Sequence, residues 1–143
     1  MPLRIILLPL FFQALAGRAQ PALDTLNALL GGSTTFRIDQ HDRLVMDHID
    51  DGRRIAQYLA PLADLDPAAV RSDTLSAQLV FGCTGASGRC IAKEQFRTAS
   101  TIRSGRTALP TTLSAAQLQR VQRTLVVLIE ERRSLTCMPA SKP

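Results

Sequence analysis

The segment 114–133 carries the feature that most constrains how this chain folds, an apolar stripe at helical spacing. Apolar side chains recur every three or four residues along it, which places them on one face of a helix. The stripe consists of Leu118, Val121, Leu125, Leu128 and Ile129. Because a helix with one apolar face must bury it against another layer, the rest of the chain has to supply a sheet that the stripe can cover.

Both ends of this helix carry boundary signals. Ser114, followed three residues later by Gln117, forms a capping box, in which each side chain bonds the other residue's backbone amide. Leu113, directly before the cap, is placed to pack onto the first turns as a hydrophobic staple. Arg132 and Arg133 lie at the carboxyl end, where cations interact favourably with the helix dipole. The sequence therefore predicts a long amphipathic C-terminal helix.

Closer to the N-terminus, the apolar pattern changes from helical spacing to alternation. Residues 21–30 have leucines on one helical face, and Gly31-Gly32 ends this short helix. After the glycines, alternating apolar residues separated by polar turns predict three strands of an antiparallel meander. These strands are expected at 34–39, 43–49 and 53–59.

The central part of the chain predicts further strands. Residues 77–83 and 90–93 are expected to form a hairpin across the turn 84–89, which is rich in glycine and small polar residues. Residues 99–103 are expected to add an edge strand. Residues 104–112, which contain a glycine and a proline, are expected to be a loop.

Taken in order, these elements predict an α+β fold. It has a short N-terminal helix, an antiparallel sheet or half-open β-roll of five to six strands, and a long C-terminal helix packed on the sheet. We expect one domain over residues 20–133, which suits the usual domain size, and a flexible tail over 134–143.

The first 19 residues have the three parts of a secretory signal peptide. A short basic start ending at Arg4 precedes the apolar run 5–12, and small residues follow around Ala16 and Ala19. The apolar run is too short to span a membrane, which takes about 20 residues. We expect cleavage after Ala19, with Ala16 as the alternative, and a periplasmic or secreted protein without a membrane span.

The charge of the chain argues against nucleic-acid binding. The formal net charge is +5, and removal of Arg4 and Arg18 with the leader leaves 15 basic and 12 acidic residues. The arginines are spread along the chain, without a basic run or the interleaved aromatic residues on which bases stack. We therefore expect no nucleic-acid partner.

The three cysteines all lie in the mature chain. In an oxidising compartment cysteines pair first as disulfides, and Cys83 and Cys90 flank the predicted hairpin turn. We predict a disulfide between them, which leaves Cys137 free or paired with another molecule. One alternative is a small thiol-dependent enzyme that uses Cys83 or Cys90 with His41 or His48.

Histidines and carboxylates are concentrated between residues 41 and 51. The candidate metal ligands are His41, Asp47, His48 and Asp50. Their spacing matches no zinc or calcium motif, and Asp47 and His48 point to opposite faces of a strand. Turn formation, with arginines as counter-ions, is the simpler interpretation, and a periplasmic metal-binding protein is the alternative.

The sequence carries no catalytic or cofactor signature, so we expect a non-enzymatic protein without a cofactor. The favoured function is a small exported module that binds a protein or an envelope component of unknown specificity. The thiol-dependent enzyme and the metal-binding protein are the alternatives. The oligomeric state is not predicted.

Overall fold

The computed structural model describes residues 20–136, which form two α-helices and eight strands in two antiparallel sheets. The helices are α1 Gln20–Leu30 and α2 Ala115–Thr136. The strands are β1 Thr34–Ile38, β2 Arg43–Asp50, β3 Arg53–Pro61, β4 Arg71–Asp73, β5 Gln78–Gly82, β6 Ile91–Gln95, β7 Ser100–Ser104 and β8 Arg106–Pro110. Two 3₁₀ turns, Leu62–Asp64 and Pro67–Ala69, connect β3 to β4. The predicted α+β class is confirmed.

The larger sheet contains five strands in the order β1-β2-β3-β6-β7. The predicted meander of β1, β2 and β3 is confirmed, with Phe36 opposite Met46 and Met46 opposite Tyr58. A register shift after His48 accommodates one extra residue near the end of the β2–β3 pair. The predicted edge strand is also present, because among residues 20–136 β7 pairs with β6 alone.

The predicted hairpin of residues 77–83 and 90–93 is wrong, although both strands exist. β5 pairs with β4 and β8 in a separate three-stranded sheet, whereas β6 pairs with β3 and β7. The physical reason is that the segment after β3 takes the hydrogen bonds at the end of β5. The Thr84 N–H donates to the Asp64 carbonyl at 2.8 Å, and Leu65 forms a β-bridge with Cys83.

The predicted loop over 104–112 is also wrong, since it contains β8. Gly105 lies where the chain leaves the five-stranded sheet at β7 and enters the three-stranded sheet at β8. Pro110 is the last residue of β8, which is an edge strand. A proline is tolerated at such a position because its missing N–H interrupts no central ladder. The short strand β4 was not predicted.

The apolar stripe of α2 is fully buried, as predicted, in one core with the sheets and α1. The capping box is confirmed by hydrogen bonds from the Ser114 amide to Gln117 Oε1 at 3.1 Å and from the Gln117 amide to Ser114 Oγ at 3.3 Å. The helix runs beyond Arg133 to Thr136. The predicted leader 1–19 and the remainder of the predicted tail, with Cys137, lie outside the described residues.

Within residues 20–136, no helix is both long enough and apolar enough to cross a lipid bilayer.

The two sheets are joined at one end by a feature that we call the clasp. It consists of the Cys83–Cys90 sulfur pair and the close backbone approach of Gly82, Gly88 and Gly105. Cys83 directly follows β5 in the smaller sheet, and Cys90 directly precedes β6 in the larger one. Its Sγ atoms are 2.00 Å apart, and the Cys83 N–H donates to the Gly105 carbonyl at 2.8 Å.

The clasp leaves no room for a side chain at Gly105, where a Cβ atom would lie 2.8 Å from the Gly88 carbonyl oxygen. We expect Gly105→Ala to lower the free energy of unfolding by about 1–3 kcal/mol, the usual effect of overpacking. Urea unfolding of the non-reduced protein measures this change.

Gly85→Ala is the matched control, because a Cβ atom at Gly85 would meet nothing within 4 Å. An equal effect of the two substitutions on stability would contradict the role given to the clasp.

Candidate functional site

The face of the five-stranded sheet that covers the core becomes polar toward the end opposite the clasp. Alternate residues of β2, β3 and β6 point to this inner face. From the clasp end outward, the rows are Leu44, Met46 and His48 in β2; Ala60, Tyr58 and Ala56 in β3; and Ile91, Lys93 and Gln95 in β6. The clasp-end members are buried, whereas His48, Lys93 and Gln95 are partly exposed. Polar groups from two non-adjacent strands therefore meet at one end of the sheet.

A cleft of about 420 Å³ lies at this polar end, between the inner face of β3 and β6 and the strand β8. Its apolar lining comes from Ile55, Ala56, Tyr58, Ala108 and Pro110. Its polar lining comes from His48, Asp50, Lys93, Gln95, Arg97 and Thr98. This mixture of apolar surface and a few converging polar groups is typical of ligand sites, which commonly occupy about 300–1,000 Å³.

The charge balance of the cleft is positive. Lys93 and Arg97 carry positive charges, and neither forms an ion pair with another residue in the range 20–136. Lys93 Nζ instead lies 5.2 Å from the centre of the Tyr58 ring, within the range of a cation–π interaction. Asp50 contributes the one carboxylate of the lining. The cleft thus has at least one positive charge in excess.

Two buried polar atoms near the cleft are unpaired. The Nδ1 atom of His48 and the Oγ1 atom of Thr34 have no hydrogen-bond partner among the described residues. The two residues are directly opposite each other in the β1–β2 pair. An unpaired buried polar group costs about 1–3 kcal/mol. His48 is therefore not explained by a contribution to stability, and it also lines a second cavity, of about 280 Å³, beside the cleft.

Replacement of His48 by phenylalanine tests this interpretation. We expect His48→Phe to raise the free energy of unfolding by about 1 kcal/mol, because it removes a buried nitrogen without a partner and keeps a ring of similar shape. Thermal unfolding followed by circular dichroism provides the measurement. His41→Phe, in the exposed turn between β1 and β2, is the control and should change little. A loss of stability in His48→Phe would show that the imidazole has a structural partner.

The four candidate metal ligands do not form one group: His48 and Asp50 line the same cleft, but His41 and Asp47 lie elsewhere. His41 lies in the exposed turn between β1 and β2, and Asp50 lies at the end of β2. Asp47 and His48 point to opposite sheet faces, as predicted. On the outer face, Asp47 accepts a hydrogen bond of 2.6 Å from Gln57 and lies 3.4 Å from Arg54. Across residues 20–136, no group of three or more His, Cys, Asp or Glu side chains is placed to hold a metal ion.

Metal removal tests whether these four residues bind a metal ion that stabilises the protein. We expect dialysis against EDTA to leave the unfolding midpoint unchanged, since Asp47 is satisfied by an amide and arginines rather than by a cation. Elemental analysis of the purified protein completes the test. A stoichiometric metal whose loss lowers the midpoint would revive the metal-binding alternative.

The predicted pair Cys83 and Cys90 is confirmed at the level of distance, with the sulfurs at disulfide-bonding separation. Its position differs from the prediction, because the pair links two sheets rather than two strands of a hairpin. A disulfide sulfur is not a nucleophilic thiolate. The thiol-dependent alternative therefore requires that this bond be reduced.

No motif or spacing in the sequence pointed to Lys93, Gln95 or Arg97. Their common location depends on the pairing of β3 with β6, which places Tyr58 opposite Lys93 and Ala56 opposite Gln95. Such long-range pairing leaves no local spacing signal. The available signal was weaker: Lys93 is one of the two lysines of the sequence, with Lys142, and it follows the apolar Ile91 at strand spacing.

No protein-family model matches the chain, and no curated protein or solved structure matches it. What the chain does is therefore inferred from its own residues.

Proposed function

We propose that the mature chain is an exported, non-enzymatic binding module whose ligand occupies the cleft between the two sheets. The ligand belongs to a protein or another component of the cell envelope or its surroundings. Export is inferred from the signal-peptide pattern of residues 1–19, and the location is the periplasm or the exterior.

The observation that carries this proposal is the composition of the cleft. The cavity has a volume of about 420 Å³ and a partly apolar lining. Two cationic side chains, Lys93 and Arg97, also line it and have no counter-ion among the residues described. Lys93 is partly buried beside this apolar surface, where a charge is favoured by a partner, whereas Arg97 is exposed. A ligand would supply a counter-charge to both.

The non-enzymatic part of the proposal is supported by the sulfur pair. A cysteine enzyme needs a thiolate near a base, whereas the sulfurs of Cys83 and Cys90 are within bonding distance of each other. The pair lies at the end of β5 and the start of β6, while the cleft lies at the opposite end of these strands. Cleft and sulfur pair are therefore separate features of the fold.

The proposal is tested by blocking the cleft. Residue Gln95 lies on the inner face of β6 and lines the cleft, whereas its neighbour Glu94 points to the outer face. We expect the neutral probe 2-naphthalenemethanol to shift the amide NMR signals of Ala56, Lys93 and Ala108 in the non-reduced mature protein. Gln95→Trp should abolish these shifts by filling the cleft.

Glu94→Trp adds the same side chain to the same strand and should leave the shifts intact. Shifts confined to other surfaces, or an equal loss in both variants, would refute the cleft as the binding site.

A further inference from the structure

One of the two cations of the cleft, Lys93, lies next to the hydrocarbon core, whereas Arg97 is exposed. Lys93 follows the fully buried Ile91 on the same face of β6, and its Nζ atom lies over the Tyr58 ring. A charge in such a partly desolvated position interacts more strongly with a counter-charge than one in bulk water. Arg97, in the turn after β6, lines the same cleft and offers planar N–H donors that match a carboxylate.

The remaining lining is predominantly apolar. Tyr58 and Ala56 form one wall, and Ala108 and Pro110 of β8 lie across from them. With a volume of about 420 Å³, the cleft is at the lower end of the range for small-molecule sites. These dimensions suit one fused ring system or a short acyl chain.

From these observations we infer that the cleft is specific for an amphipathic organic anion, with its apolar body against Tyr58 and its carboxylate-type group between Lys93 and Arg97. This inference rests on the proposed function, because it names the ligand class of the same site. A cationic ligand would be repelled by both side chains. A neutral ligand of the same shape would leave both of them without a counter-charge.

The negative charge of Asp50 would repel an anionic ligand, but it neutralises only one of the two positive charges in the cleft. Asp50 lies at the end of β2 and also lines a neighbouring cavity with Asp51, Arg53, Arg54 and Arg97, where Arg54 is itself paired with Asp47. Within the cleft, Lys93 and Arg97 against Asp50 leave one positive charge in excess. An anion bound near Lys93 therefore meets a positive local field.

Three naphthalene probes of equal size separate charge from shape. They are 2-naphthoate, 2-naphthalenemethanol and 2-naphthylmethylammonium, each titrated into the non-reduced mature protein and followed by amide NMR shifts. We expect naphthoate to bind about tenfold or more tightly than the alcohol, the ratio that one charge-assisted contact provides. The ammonium probe should bind most weakly.

Variants of Lys93 and Arg97 test whether these side chains cause the preference for naphthoate. We expect Lys93→Gln and Arg97→Gln each to reduce the ratio of naphthoate to alcohol affinity toward one, while Lys93→Arg retains it. Arg120→Gln removes the same charge from the exposed face of α2 and should leave the ratio unchanged. Loss of the preference in this control would overturn the inference, since it would trace the preference to net charge.

The outcomes also separate this inference from the proposed function. Equal affinity for naphthoate and the alcohol, with shifts at Ala56 and Lys93, would overturn the anion specificity and keep the cleft as a binding site. If none of the three probes shifts these signals, both the inference and the proposed function fail.

Discussion

The clasp holds the two sheets together at one end, and the positions of the other strands follow from it. The Cys83–Cys90 pair joins the end of one sheet to the start of a strand in the other, and Gly105 approaches Gly88 too closely for any side chain. Closing so short a loop by a disulfide contributes about 2–3 kcal/mol in the chain-entropy account. The larger consequence is geometric, because the clasp fixes how the two sheets meet.

The position of the clasp explains the position of the cleft. The inner-face rows are apolar near the clasp, where Ile91 and Leu44 are fully buried, and become polar at the other end, where Lys93 and His48 stand. Apolar burial closes the first end of the gap between the sheets, whereas charged and unpaired groups line the second. Groups that contribute little to stability thus collect at the end of the gap where we propose that the ligand binds.

Local patterns predicted the elements whose partners are close in sequence. The stripe of α2, its capping box at Ser114, and the β1–β3 meander are examples, since spacing and turn residues determine them. The prediction failed where the chain changes sheets: Gly105 and Pro110 indicate a loop by their types, yet they border β8. The cysteine pairing was predicted correctly from the 83–90 spacing, but for a hairpin that does not form. The cleft could not be predicted from the sequence, because Lys93 and Arg97 are placed in it by the long-range β3–β6 pairing.

One measurement tests both the disulfide of the clasp and the proposed export of the chain. The full chain is expressed with its predicted leader in a secreting host and recovered from outside the cytoplasm. Its intact mass is then measured without reduction, before and after alkylation. We predict the mass of residues 20–143 less two hydrogens, with a single alkylated cysteine, Cys137. A full-length mass with three alkylated cysteines would contradict this prediction, since neither export nor the link between the two sheets would then exist.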